Sequence, residues 1–500
     1  MEKYLYGAAV QGIQQFIFRT NELKDIVGAS ELVEQICTSA FDEFANNGES
    51  IVRAAGNIKF IFNNKADCEK AVREFPKKVM IMAPGITISQ AVVAFDGEFG
   101  EVVDELERLL KIQRNKPSRS VTFGLIGIKR ANNTGLPVVN IGIEKYKEKG
   151  QTKTKEVFKD DAALHIGKYI KVKKLCEKSF GISLPSHERI AYDISSITGK
   201  NDWIAVIHAD GNGVGKVVQK VGKKKDVFKK FSEKLDLATE EAAHEAYNAV
   251  KGRFDDNENS IIPIRPVVLS GDDMTVIIRG DLALDYTTAF IKAFEDKTRL
   301  HLGDDILKKE HIFANDEDCL TACAGIAFIK SSFPFYYGYQ LAELLCSEAK
   351  KDTKAIYSVN TNHLPPSCLM FHKVQDSFII DYKDIVKREL TANDGLSFKY
   401  GPYYVQEKIG KTTVKKFIEY CDLLNTENGD GVKSGIRNWL TLRIESKSKA
   451  DQRLRRMLQV FKDDAAVKTL TNETGGHCIA YDVLAYHTIM NQQTNEITEE

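Results

Sequence analysis

The sequence has no surplus of charge of either sign: lysine plus arginine come to 70, and so do aspartate plus glutamate. A whole-molecule field that would draw in nucleic acid or phosphate is therefore absent, and any such attraction must come from local patches. Nowhere do eighteen apolar residues run together, and the N-terminus, MEKYLYGAAVQG, has no basic region followed by an apolar one. A membrane span and a secretory leader are excluded on that pattern, and the expected location is the cytoplasm, with no membrane partner. Cys-x-x-Cys is missing too, although nine cysteines are scattered from Cys37 to Cys478. That argues against a zinc ribbon and against a disulfide framework, and Cys319 and Cys323 read as reduced core thiols.

What is present is apolar sequence in quantity, 43% of 500 residues, enough for two or three cores. From residue 201 the periodicity gives a strand, DWIAVIHAD, then a helical stretch, VFKKFSEKLDLATEEAAHEAYNAV, then two β-branched runs around a tight turn, RPVVLSGDDMTVIIRG. A helix (LALDYTTAFIKAFEDK), a strand (LTACAGIAFIK) and a helix (YGYQLAELLCSEAKK) follow. This β-α-β-β-α-β order predicts a ferredoxin-like α+β domain, the arrangement shared by the palm domains of polymerases and nucleotide cyclases. Residues 1 to about 115 repeat the order, with YLYGAAV, IVRAAGNIKFIF and ITISQAVVAF as strands. Laying Gly56 over Gly271 puts Asn57 over Asp272 and Ile58 over Asp273, so the first copy has lost both acids of the hairpin. The expected organisation is a degenerate palm at 1–135, a lysine-rich, irregular connector at 136–200, an active palm at 201–355 and a mostly helical domain at 356–500. Its last residues, NQQTNEITEE, read as a disordered end.

Asp272 and Asp273 pose the chemical question, because adjacent carboxylates repel each other and resist burial. In the expected topology the first strand of the second palm runs beside the hairpin and brings Asp210 to them. Three converging carboxylates are stable around divalent cations, and a pair of Mg²⁺ or Mn²⁺ ions would activate a ribose 3′-hydroxyl and stabilise departing pyrophosphate. SGDD by itself also fits a solvated type I′ hairpin, but Asp210, the fold order and an acid-free second copy are not expected of one. DGNGVGK, residues 210–216, reads as a glycine-rich turn opening a helix, where backbone N–H groups hold phosphate. It is neither a Walker loop, since Lys216 is followed by Val217, nor an EF-hand loop, since Val214 stands where an acid or amide is needed. The lysines at 216, 220, 223, 224, 225, 229 and 230 read first as a solvated helix face and second as a device that steers nucleotides or RNA. KSKADQRLRRML has the same two readings, with RNA as its partner in the second. His208 shares a strand face with Asp210 and reads as structural.

At these residues the sequence resembles the large palm-containing subunit of type III CRISPR effector complexes, a branch of the superfamily that includes GGDEF diguanylate cyclases. SGDD stands where that family has Gly-Gly-Asp-Asp; WIAVIHADGNGVGK is similar to its first palm strand and turn, and TACAGIAFIKSSFPFYYGYQLAELLCSEAKK to its last strand and helix. VQGIQQFIFRTNELKDIVGASELVEQI resembles the opening of its degenerate palm. The resemblance implies that Asp210, Asp272 and Asp273 bind metal and that Ser270, Gly271 and Gly211 lie against the nucleotide, with Lys350 as a phosphate contact. It also implies that ATP is joined 3′ to 5′ into an oligoadenylate second messenger, with RNA and other effector subunits as partners. Ser270 replaces the first glycine, and Asn212 replaces the second acid of the usual Asp-x-Asp. The family's HD nuclease and cysteine-rich zinc insertion are not seen, so DNA cleavage is not expected. Two other readings remain: a non-catalytic scaffold or RNA-binding subunit of a defence ribonucleoprotein, and a GTP-using diguanylate-type cyclase, against which the unequal palms argue.

Overall fold

The computed structural model describes residues 2–490 except 55, 117–125, 149–150, 185–188, 199–201, 255–259, 314–316, 357–362, 376–380, 408–409, 426–428 and 463. The segment expected to be a disordered end, 491–500, lies outside the described residues.

Strands β1 (Lys3–Gln11), β2 (Gly48–Ala54), β3 (Asn57–Phe62) and β4 (Thr87–Phe95) form an antiparallel sheet in the order β2-β3-β1-β4. Helices Leu23–Cys37, Lys65–Met82 and Phe99–Arg114 fill the intervals expected of a ferredoxin-like unit. Next come β5 (Asn140–Glu148) and β6 (Gln151–Lys159), paired as an antiparallel ribbon. The expectation of irregular chain between 136 and 200 fails here. Its abundance of lysine masked a period of two in NIGIEKYK, and the strands pair in continuous register from Asn140 opposite Lys159 to Glu148 opposite Gln151.

The second sheet repeats the first. Strands β7 (Trp203–Asn212), β8 (Ile264–Ser270), β9 (Asp273–Arg279) and β10 (Thr321–Lys330) stand in the order β8-β9-β7-β10. β7 and β10 are buried almost end to end, which is why they read as continuous apolar runs and not as alternating ones. The sheet continues past residue 355: β11 (Cys368–Lys373) lies parallel to β10, and β12 (Tyr403–Tyr404) pairs with β11. Helices dominate the remainder, including Val414–Asp422, Gly429–Glu445, Lys447–Val460 and Ala480–Met490. The fold is α+β, two ferredoxin-like palms followed by a mostly helical portion.

The palms face each other through their first long helices. Helix Leu23–Cys37 packs against β2 of its own palm and β8 of the other, and helix Lys225–Val250 packs against β8 and β2 in turn. The Ser30 hydroxyl donates to the Val267 carbonyl across this junction. Lys225 pairs with Glu49 at 2.8 Å, and the Lys59 ammonium lies 5.5 Å from the Phe228 ring centre. No helix among the described residues is long and apolar enough to cross a membrane.

Candidate metal and nucleotide site

The hairpin places the acids. Ser270 pairs with Asp273, leaving Gly271 and Asp272 as a two-residue loop. Only the first of these has a positive φ, 64° at Gly271, which makes the turn type II′ and not type I′. A II′ turn wants glycine at its first central position, and SGDD supplies it. β7 runs antiparallel to β9 with Asp210 directly opposite Asp273, so the two carboxylates share a face. One carboxylate oxygen from each of Asp210, Asp272 and Asp273 lies within 4.8 Å of the others. Gly211 makes room for this: a Cβ there would stand 2.9 Å from both Cβ and Oδ2 of Asp272. β7 ends at Asn212, and Gly213, with a φ of 76°, turns the chain into helix Val214–Val221.

Burial pushes the Asp272 carboxyl up to about 7, helped by repulsion from Asp210. Asp273 is pushed up to about 8, again by burial first and then by repulsion from Asp272 and Asp210. Lys350, from helix Phe335–Ile356, donates to Asp210 Oδ2 and, at 2.9 Å, to the Gly211 carbonyl. Burial works against its ammonium, but the Asp210 carboxylate outweighs that and holds Lys350 above the usual lysine range. Asn212, where a further acid is usual, turns its amide to Thr321 and Cys323, and its buried Oδ1 has no hydrogen-bond partner. His208 is buried, 3.2 Å from the Thr275 hydroxyl, and burial lowers its pKa to about 4.

Three residues that the sequence reading did not single out hold the loop from behind. The Gly271 N–H donates to Asp236 at 3.3 Å, the Thr239 hydroxyl donates to the Gly271 carbonyl, and Lys178 binds both Asp236, at 3.0 Å, and the Leu269 carbonyl. Asp236 and Thr239 sit three residues apart on one helix face, a spacing visible in the sequence but with nothing there to name its target. The lysine run at 216–230 is partly spent on the fold: Lys220 caps the His311 and Ile312 carbonyls, Lys224 pairs with Glu310, and Lys225 with Glu49.

Beside the acids, a cavity of about 410 Å³ opens between the palms. Val10, Gly12, Ile13 and Gln14 line it from one side, and His208, Leu269, Ser270, Asp273 and Tyr339 from the other, with Glu34 also on its wall. Phe18 stacks on Tyr339 across the junction at 4.4 Å between ring centres. The first palm keeps the same turn, since Gly12 caps its helix with a φ of 66° as Gly213 does in the second. Its hairpin corrects the overlay expected from the sequence. Ala54 pairs with Asn57, and Asn57 faces Ala9, as Asp273 faces Asp210. Asn57 thus corresponds to Asp273 and not to Asp272, because the left-handed glycine is the second loop residue in one hairpin and the first in the other. The first palm still lacks acids at these positions.

The donor set consists of three carboxylates, and two of them hold protons unusually tightly when no cation is near. Hard oxygen ligands with that mutual repulsion fit Mg²⁺ or Mn²⁺, which favour oxygen and cancel the repulsion.

A ferredoxin-like sheet with carboxylates gathered at its central hairpin and neighbouring strand places the second half of the chain in the class of palm domains. Within that class, residues 203–356 match the Cas10/Cmr2 second palm domain, so the second palm is of the Cas10/Cmr2 type and the resemblance read from the sequence is borne out. Among curated proteins no sequence matches the chain. Solved structures share its fold: a Csm1–Csm4 cassette in complex with pppApA (TM-score 0.56, 13% identity) covers 98% of this chain and 69% of its own. The same cassette with cA4 gives a TM-score of 0.52, also at 13% identity over 98% and 69%. Csm1 of T. onnurineus gives 0.54 at 13% identity, over 97% of this chain and 69% of its own.

Proposed function

We propose that the protein is a metal-dependent nucleotidyltransferase that joins ATP, with release of pyrophosphate, into a linear or cyclic oligoadenylate signal in CRISPR-type antiviral defence. One observation carries this reading: the carboxylates of Asp210, Asp272 and Asp273 converge, and Asp273 lines a cavity walled by both palms. In this assignment the three aspartates hold two Mg²⁺ or Mn²⁺ ions, which when bound supply activation of a 3′-hydroxyl and charge stabilisation of the leaving pyrophosphate. Ser270, Gly271 and Gly211 present backbone against the nucleotide. Lys350, which pairs with Asp210 here, would answer the charge of the triphosphate. The apolar wall from the first palm holds the acceptor nucleotide and excludes water. The Csm1–Csm4 cassettes bound to pppApA and cA4 support adenylate chemistry by likeness of fold, and they suggest a Csm4-like subunit as partner; RNA as a further partner and the cytoplasm as the location follow from the resemblance read in the sequence.

A second reading, a non-catalytic scaffold or RNA-binding subunit, draws on the ion pair between Lys350 and Asp210, which already neutralises one acid of the three. One experiment separates them. The protein is incubated with each labelled nucleoside triphosphate and Mg²⁺ or Mn²⁺, with and without RNA, beside an Asp272→Asn/Asp273→Asn control. A new oligonucleotide with pyrophosphate, absent from the control, supports the enzyme and identifies the base. No product from a folded protein that still binds RNA or a partner subunit supports the scaffold.

A further inference from the structure

The carboxylates occupy one end of the second palm's sheet. The opposite end carries Trp203 at the start of β7, Lys330 at the end of β10 and Lys373 at the end of β11. Both ammonium groups sit against the same indole: Lys330 Nζ is 4.3 Å and Lys373 Nζ 5.1 Å from the Trp203 ring centre. Arg437, on helix Gly429–Glu445, is exposed, bonds the Thr488 hydroxyl at 3.3 Å, and is near enough for its charge to act on Lys373. Burial lowers the pKa of Lys373 to about 8, and the charges of Arg437 and Lys330 push in the same direction. Negative charge is scarce here. Asp202 lies 3.3 Å from Lys330 and also accepts from the Ser331 hydroxyl, whereas Lys373 has no acidic partner among the described residues. The Trp203 indole N–H is buried and makes no hydrogen bond.

Among the described residues, three cations against one carboxylate leave an excess of positive charge on a half-buried surface. With Asp202 alone among the described residues to balance them, they destabilise one another, and a bound dianion reverses the sign of that interaction. We propose that Lys330, Lys373 and Arg437 form an anion site that takes a phosphate group. Phosphate suits it better than a carboxylate, because its charge and acceptor oxygens can be divided among three donors, the guanidinium included. The site is separate from the carboxylates: Trp203 and Asp210 lie seven residues apart along one strand, roughly 23 Å at the rise of an extended chain. The phosphate belongs either to a free nucleotide or to an RNA backbone.

The test uses the full chain carrying Asp272→Asn and Asp273→Asn, so that neither turnover nor ion binding at the far end contributes. Lysine acylation at neutral pH is followed residue by residue by mass spectrometry, alone and with inorganic phosphate, ATP or a single-stranded RNA oligonucleotide. Lys373 should label faster than exposed lysines in the free protein. A bound phosphate that raises its pKa by one should slow labelling roughly tenfold, saturably. Protection by RNA alone assigns the site to a backbone phosphate, and protection by ATP or inorganic phosphate assigns it to a free one. Arg437→Gln should weaken the protection without unfolding the chain, and Lys373→Met, which keeps the stem over Trp203, should abolish ligand binding at this end. Fast labelling of Lys373 unprotected in every arm overturns the proposal, as does protection that Arg437→Gln leaves intact.

Discussion

Replacing Asp273 with asparagine should stabilise the metal-free protein at alkaline pH and leave it almost unchanged at acid pH. Burial and mutual repulsion raise the folded-state pKa of Asp272 to about 7 and of Asp273 to about 8. Both shifts run upward from the unfolded value, so the folded chain binds these protons more tightly than the unfolded chain does. The resulting stability is fully present below the ordinary carboxylate pKa and is lost as pH rises through 7 and 8. At 1.36 kcal/mol for each tenfold change in proton affinity, the Asp273 displacement corresponds to on the order of 5 kcal/mol. Asparagine removes that charge but leaves Asp272 and Asp210 facing each other, so about half should be recovered. For a domain of this size the recovery is roughly 5–10 °C in apparent Tm. The assay is thermal unfolding in EDTA, wild type against Asp273→Asn, at about pH 4.5 and about pH 8.5, where the linked protons are respectively bound and released. Glu31 and Asp482, each raised to about 7 by burial, add a pH dependence of the same sign to both proteins, and it cancels in the difference. Adding Mn²⁺ should reverse the order, since only the wild type keeps all three ligands. A variant no more stable than wild type at the alkaline pH would refute the reasoning.

Gly211→Ala should displace Asp272, because the new methyl group would stand 2.9 Å from that side chain; Mn²⁺ affinity by titration calorimetry should fall well before the fold is lost. Gly271 has open space around its Cα but a φ of 64°, so Gly271→Asn should cost less than Gly271→Val, with the alanine variant about 1 kcal/mol below wild type in unfolding experiments. Asp236→Asn removes the charge that Lys178 pairs with and weakens the acceptor for the Gly271 N–H; hydrogen exchange at Gly271 should accelerate while exchange within β7 stays protected. Lys350→Met should raise the pKa values of Asp272 and Asp273 further, since the ammonium lowers both, moving the loss of metal-free stability to higher pH in the same melts.

The parts of this site that could be read from the sequence are those where one strand pattern determines one face. The continuous β-branched runs RPVVLS and MTVIIR around a tight turn mark the hairpin, and the apolar run ending at Asp210 marks the strand that must lie beside it. What escaped the reading depends on relations between distant segments. Asp236, Thr239 and Lys178 meet the hairpin from other elements, and their own surroundings in the sequence look like an ordinary solvated helix. The position of the left-handed glycine within a two-residue loop follows from strand pairing, which is why Asn57 was set over the wrong aspartate. β12 is two residues long and too short for any periodicity, and β11 joins the sheet from beyond a segment that reads as the end of a domain.

The two long helices that cross between the palms bear on how such a chain can change. Each sheet is roofed in part by the neighbour's helix, Leu23–Cys37 over β8 and Lys225–Val250 over β2. Each half should therefore depend on its twin for part of its cover, and cutting the chain between them should yield two pieces that must find each other before either is whole. Lesions in the silent half, at Ser30 or Glu49 for instance, should register as faults in the hairpin of the other.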